Sequence, residues 1–300
     1  MRRIAKFILV PALTVFWGLP PAHAQRLKVF ISVDMEGIAG VVSDQQLGPA
    51  GFEYARFREF MTAEALAAIA GAKEAGATEF VVADAHGNMQ NLLIEKFPAD
   101  VQIVRSSPRP LSMMQGIDST FDAAIFIGYH SGTANPQGVR AHTMSSARYH
   151  GIELNGAPAA ESRVNAAIAG YFGVPVVMIS GDDIATAELK AVLGDVETAV
   201  VKRAIGFHSA LTSTPEAAQN LIRERAKMAV QRRSAFKPYR IQSPVRLDLT
   251  FKSYRPAEIL AYLPIVERTK SHAIRYNGRS IIDVMKFMVF VGSYSVELEP

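Results

Sequence analysis

The chain contains no cysteine, so it has no disulfide scaffold, no thiolate zinc site and no cysteine nucleophile. Any metal it binds must be held by nitrogen and oxygen. It also lacks a lasting excess of one charge. The formal charge is +4 over 300 residues, but Arg2, Arg3 and Lys6 lie in an N-terminal segment that reads as a secretory leader. Removing those three from 32 basic residues leaves 29 against 28 acidic ones, a net +1. A near-neutral surface offers no basic footprint for nucleic acid. There is no internal repeat, no low-complexity stretch and no polar tract long enough to imply disorder. With 49% hydrophobic and 20% charged residues, the chain has the material for a large core in one or two domains.

Long apolar runs are also missing. The nearest approach is residues 1–24, in which the basic residues precede an apolar run over 7–19 and then Ala22, His23 and Ala24 in a small-x-small cleavage pattern. Pro11 and Pro20 break that run, which is too short to span a bilayer comfortably. The expectation is a signal peptide cleaved near Ala24, giving a periplasmic or secreted protein with no stable membrane insertion. An uncleaved N-terminal anchor is the alternative. Without cysteine, an exported protein must rely on its core for stability.

What is present begins with apolar, β-branched runs at 28–33, 80–83, 101–104, 123–129 and 174–180, which read as strands. Helices are expected over 53–75, where Phe57, Phe60, Met61, Ala65, Ala68 and Ala72 share a face and Gly76 supplies the stop, and over 161–171. Strands alternating with helices indicate an α/β unit whose mainly parallel sheet is covered on both faces. The texture changes beyond residue 187. A basic amphipathic helix over 214–233 follows, then a strand at 246–252, helix at 256–263, strand at 272–276 and helix at 279–290. The expected organisation is an α/β catalytic domain over 26–187 and a smaller α+β domain over 188–300.

Five metal-ligand types sit beside these runs: Asp34 and Glu36 in SVDMEG, His86 in DAHGN, His130 in GYHSG and Glu161 in NGAPAAE. Each has an ordinary structural explanation when taken alone. Asp34 and Glu36 point to one side of an extended segment, where unpaired carboxylates repel unless a cation neutralises them. A lone histidine is more often a hydrogen-bonded structural group, and Glu161 opens a helix whose dipole favours its charge anyway. Asp34, His86 and His130, however, all follow the end of a predicted strand, where ligands bind in open α/β sheets. Two imidazoles and three carboxylates exceed what one four-coordinate zinc needs, and suit two divalent ions sharing a bridging carboxylate. Asp84 is a rival ligand or an orienting partner for an imidazole. His142, in the RAHTMSS segment, is placed in a loop and suits proton transfer rather than a core role. His150, His208 and His272 read as structural or surface residues. Ser145 and Ser146 lack the nucleophile-elbow pattern of a serine hydrolase.

Taken together, SVDMEGI at 32–38, DAHGN at 84–88, GYHS at 128–131, AHT at 141–143 and NGAPAAE at 155–161 resemble the D-aminopeptidase family of zinc metallopeptidases in order and spacing. The resemblance covers residues 28 to about 185, and the C-terminal region only in general layout. It implies that Asp34, Glu36, His86, His130 and Glu161 bind two Zn2+ ions per subunit, with Asp34 and Glu161 as the bridging groups. It further implies that His142 is the catalytic residue outside the metal shell, and that the protein forms a ring-like homo-oligomer, with a decamer as the family's best-described form. The implied activity is release of N-terminal D-residues such as D-Ala from short peptides. One position departs from the family pattern: Ala160 stands where glycine is expected.

The substrate's amino group is assigned either to a zinc or to an acid such as Asp182 or Asp183. Two rival functions stay open on sequence alone. A two-metal phosphoesterase needs a cation near the site, for which Arg140 is the near candidate. A non-catalytic exported protein that binds a peptide or metal is the other.

Overall fold

The computed structural model describes residues 26–294, so the expected signal peptide lies outside the described residues. In chain order the elements are β1 (Lys28–Val33), α1 (Tyr54–Glu74), β2 (Glu79–Asp84), β3 (Val101–Val104), β4 (Ala123–Tyr129), β5 (Tyr149–Leu154) and β6 (Ala157–Pro158). Next come α2 (Glu161–Tyr171), β7 (Val176–Asp182), α3 (Asp183–Leu193), β8 (Glu197–Gly206), β9 (Ser209–Thr212) and α4 (Pro215–Gln231). The chain continues through β10 (Val245–Phe251), α5 (Tyr254–Leu260), β11 (Val266–Lys270), β12 (Ala273–Gly278) and α6 (Ile281–Ser293).

A seven-stranded sheet in the order β3-β2-β1-β4-β7-β8-β9 forms the spine, with every pairing parallel except β8 with β9. Its central strands are apolar on both faces, as burial on both sides requires. Val29, Ile31 and Val33 of β1 enter one core with α1 and α4, while Phe30 enters the other, which the second sheet and α6 share. Helices α1 and α4 meet closely at Gly71, where a Cβ would stand 2.1 Å from the Arg223 carbonyl oxygen. The second sheet, β11-β12-β10-β5-β6, is antiparallel throughout. Strand β10 alternates buried and half-buried residues along its whole length, the pattern of a sheet with one face on a core.

The α/β reading holds, with the antiparallel sheet as its second part. The two sheets do not follow a cut at residues 187/188, which falls inside α3. Strands β8 and β9, expected in the smaller region, extend the large sheet, and α4 covers its face. Conversely β5 and β6, expected in the first region, pair with β10. Polar and charged residues interrupt both β5 (YHGIEL) and β8 (ETAVVKRAIG), which hid them from a reading based on apolar runs.

The strand order turns at β1 and β4: β2 and β3 lie on one side, β7 and β8 on the other. The carboxyl ends of β1 and β4 therefore flank a topological switch point, where open α/β sheets bind ligands. No helix among the described residues is long and apolar enough to cross a membrane.

Candidate metal centre

Asp34 and His130 each follow directly on a strand end at that switch point, β1 for Asp34 and β4 for His130. Their backbones are pressed together by two glycines. A Cβ on Gly37 would meet the Tyr129 carbonyl oxygen at 2.1 Å, and one on Gly128 the Asp34 carbonyl oxygen at 2.3 Å. Gly128 also holds φ at +70°, a conformation that glycine adopts without Cβ strain. Hydrogen bonds from Asp34 N to the Ile127 carbonyl (2.8 Å) and from Gly37 N to the Gly128 carbonyl (2.7 Å) complete the junction.

His86 arrives two residues beyond the end of β2. Asp84 fixes that turn: its carboxylate accepts from Asn91 N at 2.5 Å and Leu92 N at 2.7 Å, while the Asn91 amide donates to the His86 carbonyl at 2.6 Å. Asp84 is thus neither a ligand nor a partner of an imidazole. Glu161 is the first residue of α2 and Ala160 is its N-cap, with φ −69° and ψ 161°. That is ordinary extended backbone, so alanine fits there. The tight approach falls on Gly132, whose added Cβ would lie 3.0 Å from Ala160. His142 is tied by its backbone N to the Ser131 carbonyl at 3.1 Å, and the next residue, Thr143, donates from its hydroxyl to the Ala159 carbonyl at 3.1 Å.

These local devices bring all six residues to one buried place. His86 Nδ1 is 2.9 Å from Glu36 Oε2 and 3.4 Å from Asp34 Oδ1. His130 Nε2 is 3.3 Å from Asp34 Oδ2 and 3.4 Å from Glu161 Oε2. His142 Nε2 is 3.9 Å from both Glu36 Oε1 and Glu161 Oε1, and its ring stacks on that of His130 with centroids 4.1 Å apart. In each histidine the other ring nitrogen lies against a backbone carbonyl: Leu47 for His86 (2.7 Å), Ser131 for His130 (3.0 Å) and Arg140 for His142 (2.8 Å). A ring nitrogen held by a carbonyl turns the other nitrogen inward, where it can bind a metal that displaces its proton.

Burial is the largest influence on every one of these carboxylates and opposes their charge. For Asp34 burial prevails, aided by the neighbouring Glu36 carboxylate, and its pKa is raised. For Glu36 and Glu161 the imidazoles outweigh burial, His86 foremost for Glu36 and His130 for Glu161, and their pKa values are lowered. Burial would depress His86 and His130, but Glu36 and Asp34 raise the first well above the usual imidazole range, and Glu161 and Asp34 the second. So many opposed charges packed out of water form a cluster that stands ready for cations.

Asp34 Oδ2 is buried without a hydrogen-bond partner. An orphaned carboxylate oxygen in a protein interior is costly, and a cation there would satisfy it. Three triads of potential ligands, Asp34–Glu36–His86, Asp34–His130–Glu161 and Glu36–His130–His142, each keep their ligand atoms within 4.8 Å of one another, and Asp34 is common to the first two. The donor set of imidazoles and carboxylates therefore fits a divalent cation such as zinc. Glu161 is differently placed, because its Oε1 accepts a 2.6 Å hydrogen bond from Met144 N.

The other nominated groups do not reach the site. Asp182 accepts from Val139 N and Ala185 N, and Asp183 from Ala204 N, so both carboxylates are structural. Arg140 pairs with Asp44 and lies over the Phe207 ring. No lysine or arginine lines the cavity around the cluster, whose volume is about 160 Å³.

The sequence profile of the peptidase M55 family, D-aminopeptidase, matches residues 27–290. The chain belongs to that family. It is 34% identical over 264 residues to a D-aminopeptidase of Bacillus subtilis (strain 168), covering 88% of this chain and 96% of the relative. Its fold superposes on the Zn-dependent D-aminopeptidase DppA from Bacillus subtilis, a self-compartmentalizing protease, with a TM-score of 0.85 and 32% identity. That match covers 90% of this chain and 99% of the other. As a family member, the chain is a D-aminopeptidase-like hydrolase.

In this D-aminopeptidase-family chain, sequence reasoning missed the groups that orient the ligands. The Leu47 and Ser131 carbonyls and the Met144 amide are backbone atoms, which no side-chain pattern reveals. Lys202 is also missed: fully buried on β8, it donates to three carbonyls of the loop that carries Glu36. A single lysine in an otherwise unremarkable strand carries no signal of such a role.

Proposed function

We propose that the chain is an exported, zinc-dependent aminopeptidase that removes an N-terminal residue, D-Ala foremost, from short peptides. The observation that carries this reading is Asp34, whose two carboxylate oxygens face His86 and His130 separately within one buried cluster. Asp34, Glu36, His86, His130 and Glu161 would hold two zinc ions. When bound, the pair would supply Lewis acidity toward both water and the peptide carbonyl. Similarity to a Zn-dependent D-aminopeptidase supports both the metal and the substrate class.

His142 performs the proton work. Its Nδ1 is held by the Arg140 carbonyl, so the neutral ring presents an acceptor Nε2 toward the cluster. From there it takes a proton and returns it to the departing amine at the same nitrogen. Its ring is half-buried, whereas His130, stacked beneath it, is buried. That difference suits a proton carrier lying over a ligand.

Residues 1–24 support export to the periplasm or beyond. The self-compartmentalizing relative supports a homo-oligomer, for which we propose a ring such as a decamer. A phosphoesterase is disfavoured, since Arg140 is engaged with Asp44 and the cluster cavity has no cation to meet a phosphate.

Metal analysis of the purified protein, followed by assays on D-Ala-D-Ala, L-Ala-L-Ala and a phosphodiester, tests the proposal. About two zinc ions per chain and preferential release of D-Ala are expected. Absence of metal together with absence of turnover would overturn the enzymatic reading.

A further inference from the structure

Beside the cluster cavity lies a second chamber of about 320 Å³. Gly87, Met89, Ser112 and Met144 line both, so the two share a wall. The outer chamber's far wall comes from α6, through Met285, Met288 and Gly292, an element remote in sequence from every candidate ligand. Its chemistry differs from that of the inner one. The inner cavity holds three carboxylates, three imidazoles and no cation side chain. The outer chamber has no acidic residue in its lining, four methionines and two arginines.

The arginines are not equivalent. Arg109 is buried, and its Nε, Nη1 and Nη2 donate to the carbonyls of Ser112, Val104 and Asp84, so it builds the wall. Arg148 is exposed, and its guanidinium donates to the Gly292 carbonyl. Among the described residues the Gly292 carbonyl is the one hydrogen-bond acceptor of its side chain. A guanidinium has five N–H donors in a fork that matches a carboxylate.

Resting on the aminopeptidase reading, we infer that the outer chamber binds the part of the peptide beyond the scissile bond, and that Arg148 takes its free C-terminal carboxylate. An aminopeptidase cuts after the first residue. The inner cavity therefore holds that residue, and the chamber that shares its wall receives the remainder. That space has a cation in its lining and the neighbouring cluster is rich in carboxylates, the polarity of a short peptide with its amino end inward. Unbranched methionine side chains adapt to different neighbours, so the chamber tolerates varied side chains while selecting for the terminal charge.

The test compares reduced-bond, non-hydrolysable isosteres of D-Ala-D-Ala as free acid and as C-terminal amide, titrated calorimetrically into the zinc-loaded protein. The L-Ala-L-Ala pair is run in parallel, so that stereochemistry does not decide the result. The wild type is expected to bind the acid at least about tenfold more tightly than the amide, the scale of one charge-assisted contact. Arg148→Gln should bring the ratio close to one, and Arg148→Lys should restore part of it. Equal binding of acid and amide by the wild type would overturn the inference, as would an Arg148→Gln variant that keeps the preference. Loss of peptide turnover with the acid preference intact would instead overturn the aminopeptidase reading and leave the carboxylate site standing.

Discussion

Lys202 of β8 donates a hydrogen bond to the backbone carbonyl of Glu36, 166 residues earlier in the chain. The same ammonium reaches the carbonyls of Ile38 at 3.1 Å and Val41 at 2.7 Å. One side chain thus gathers the loop that leaves β1 and fixes the backbone on which Glu36 stands. Lysine is rarely buried, and burial here pushes its pKa down to about 8.

Replacing Lys202 with Met preserves much of the volume but leaves three inward-facing carbonyls unpaired. Each orphaned group costs on the order of 1–3 kcal/mol, so Lys202→Met should lower unfolding stability by roughly 3 kcal/mol or more. Zinc affinity should fall by about tenfold or more, the usual effect of losing a group that orients a ligand. Urea denaturation and competitive zinc titration measure the two. An unchanged denaturation midpoint would show that the loop holds itself.

Gly128 tests the junction between the two strand ends. At φ +70° an alanine is strained, and its Cβ would also stand 2.3 Å from the Asp34 carbonyl oxygen. Strain and overpacking together predict that Gly128→Ala costs about 2–4 kcal/mol. Gly76 supplies the comparison, since it has φ +94° with nothing within 4 Å of an added Cβ. Gly76→Ala should show the backbone penalty alone, about 1–2 kcal/mol. Equal losses in the two variants would remove the argument for close approach.

Part of the candidate site was legible in the sequence because some of its residues are marked by their position after an apolar run, and the fold brings those run ends together. Asp34, His86 and His130 needed only the strand ends to be found. Glu161 and His142 needed the motif resemblance, because a helix-opening glutamate and a loop histidine are common without function. The division of the chain was less legible. Strand pairing between β5 and β10, nearly a hundred residues apart, depends on long-range packing that local periodicity does not encode. Arg148 was invisible for the same reason, since its surroundings come from α6.

Glu64 gives the fold a pH signature away from the ligands. It is fully buried on α1, accepts from Ala39 N at 3.0 Å, and its Oε2 has no partner. Burial raises its pKa from 4.5 to about 7, against the Ala39 hydrogen bond and the Lys202 charge. The folded state therefore binds the proton more tightly than the unfolded chain. Glu64 contributes stability below about pH 4.5, and this is progressively lost as pH rises toward about 7. The full swing is about 3 kcal/mol by the linkage relation. Glu64→Gln should flatten the stability profile across that window and raise stability at pH 8. A slope identical to wild type would place the titration elsewhere.

The two histidine roles separate most cleanly when one variant is read against the other. His86 has Nε2 held by Leu47 and Nδ1 between Glu36 and Asp34, so its removal opens one of the two triads around Asp34. His86→Ala should therefore lose bound zinc and, with it, activity. His142 lies farther out, with Nε2 at 3.9 Å from its nearest carboxylates, where it is suited to proton transfer. His142→Ala should keep the wild-type zinc content and lose about 10²–10⁴ in kcat, the range for a missing general acid–base. Atomic-emission metal analysis and steady-state kinetics on the same preparations decide between them. Because His142 stacks on His130, a small loss of zinc in His142→Ala is compatible with this assignment, but full loss is not. Zinc retained in His86→Ala and lost in His142→Ala would exchange the two roles.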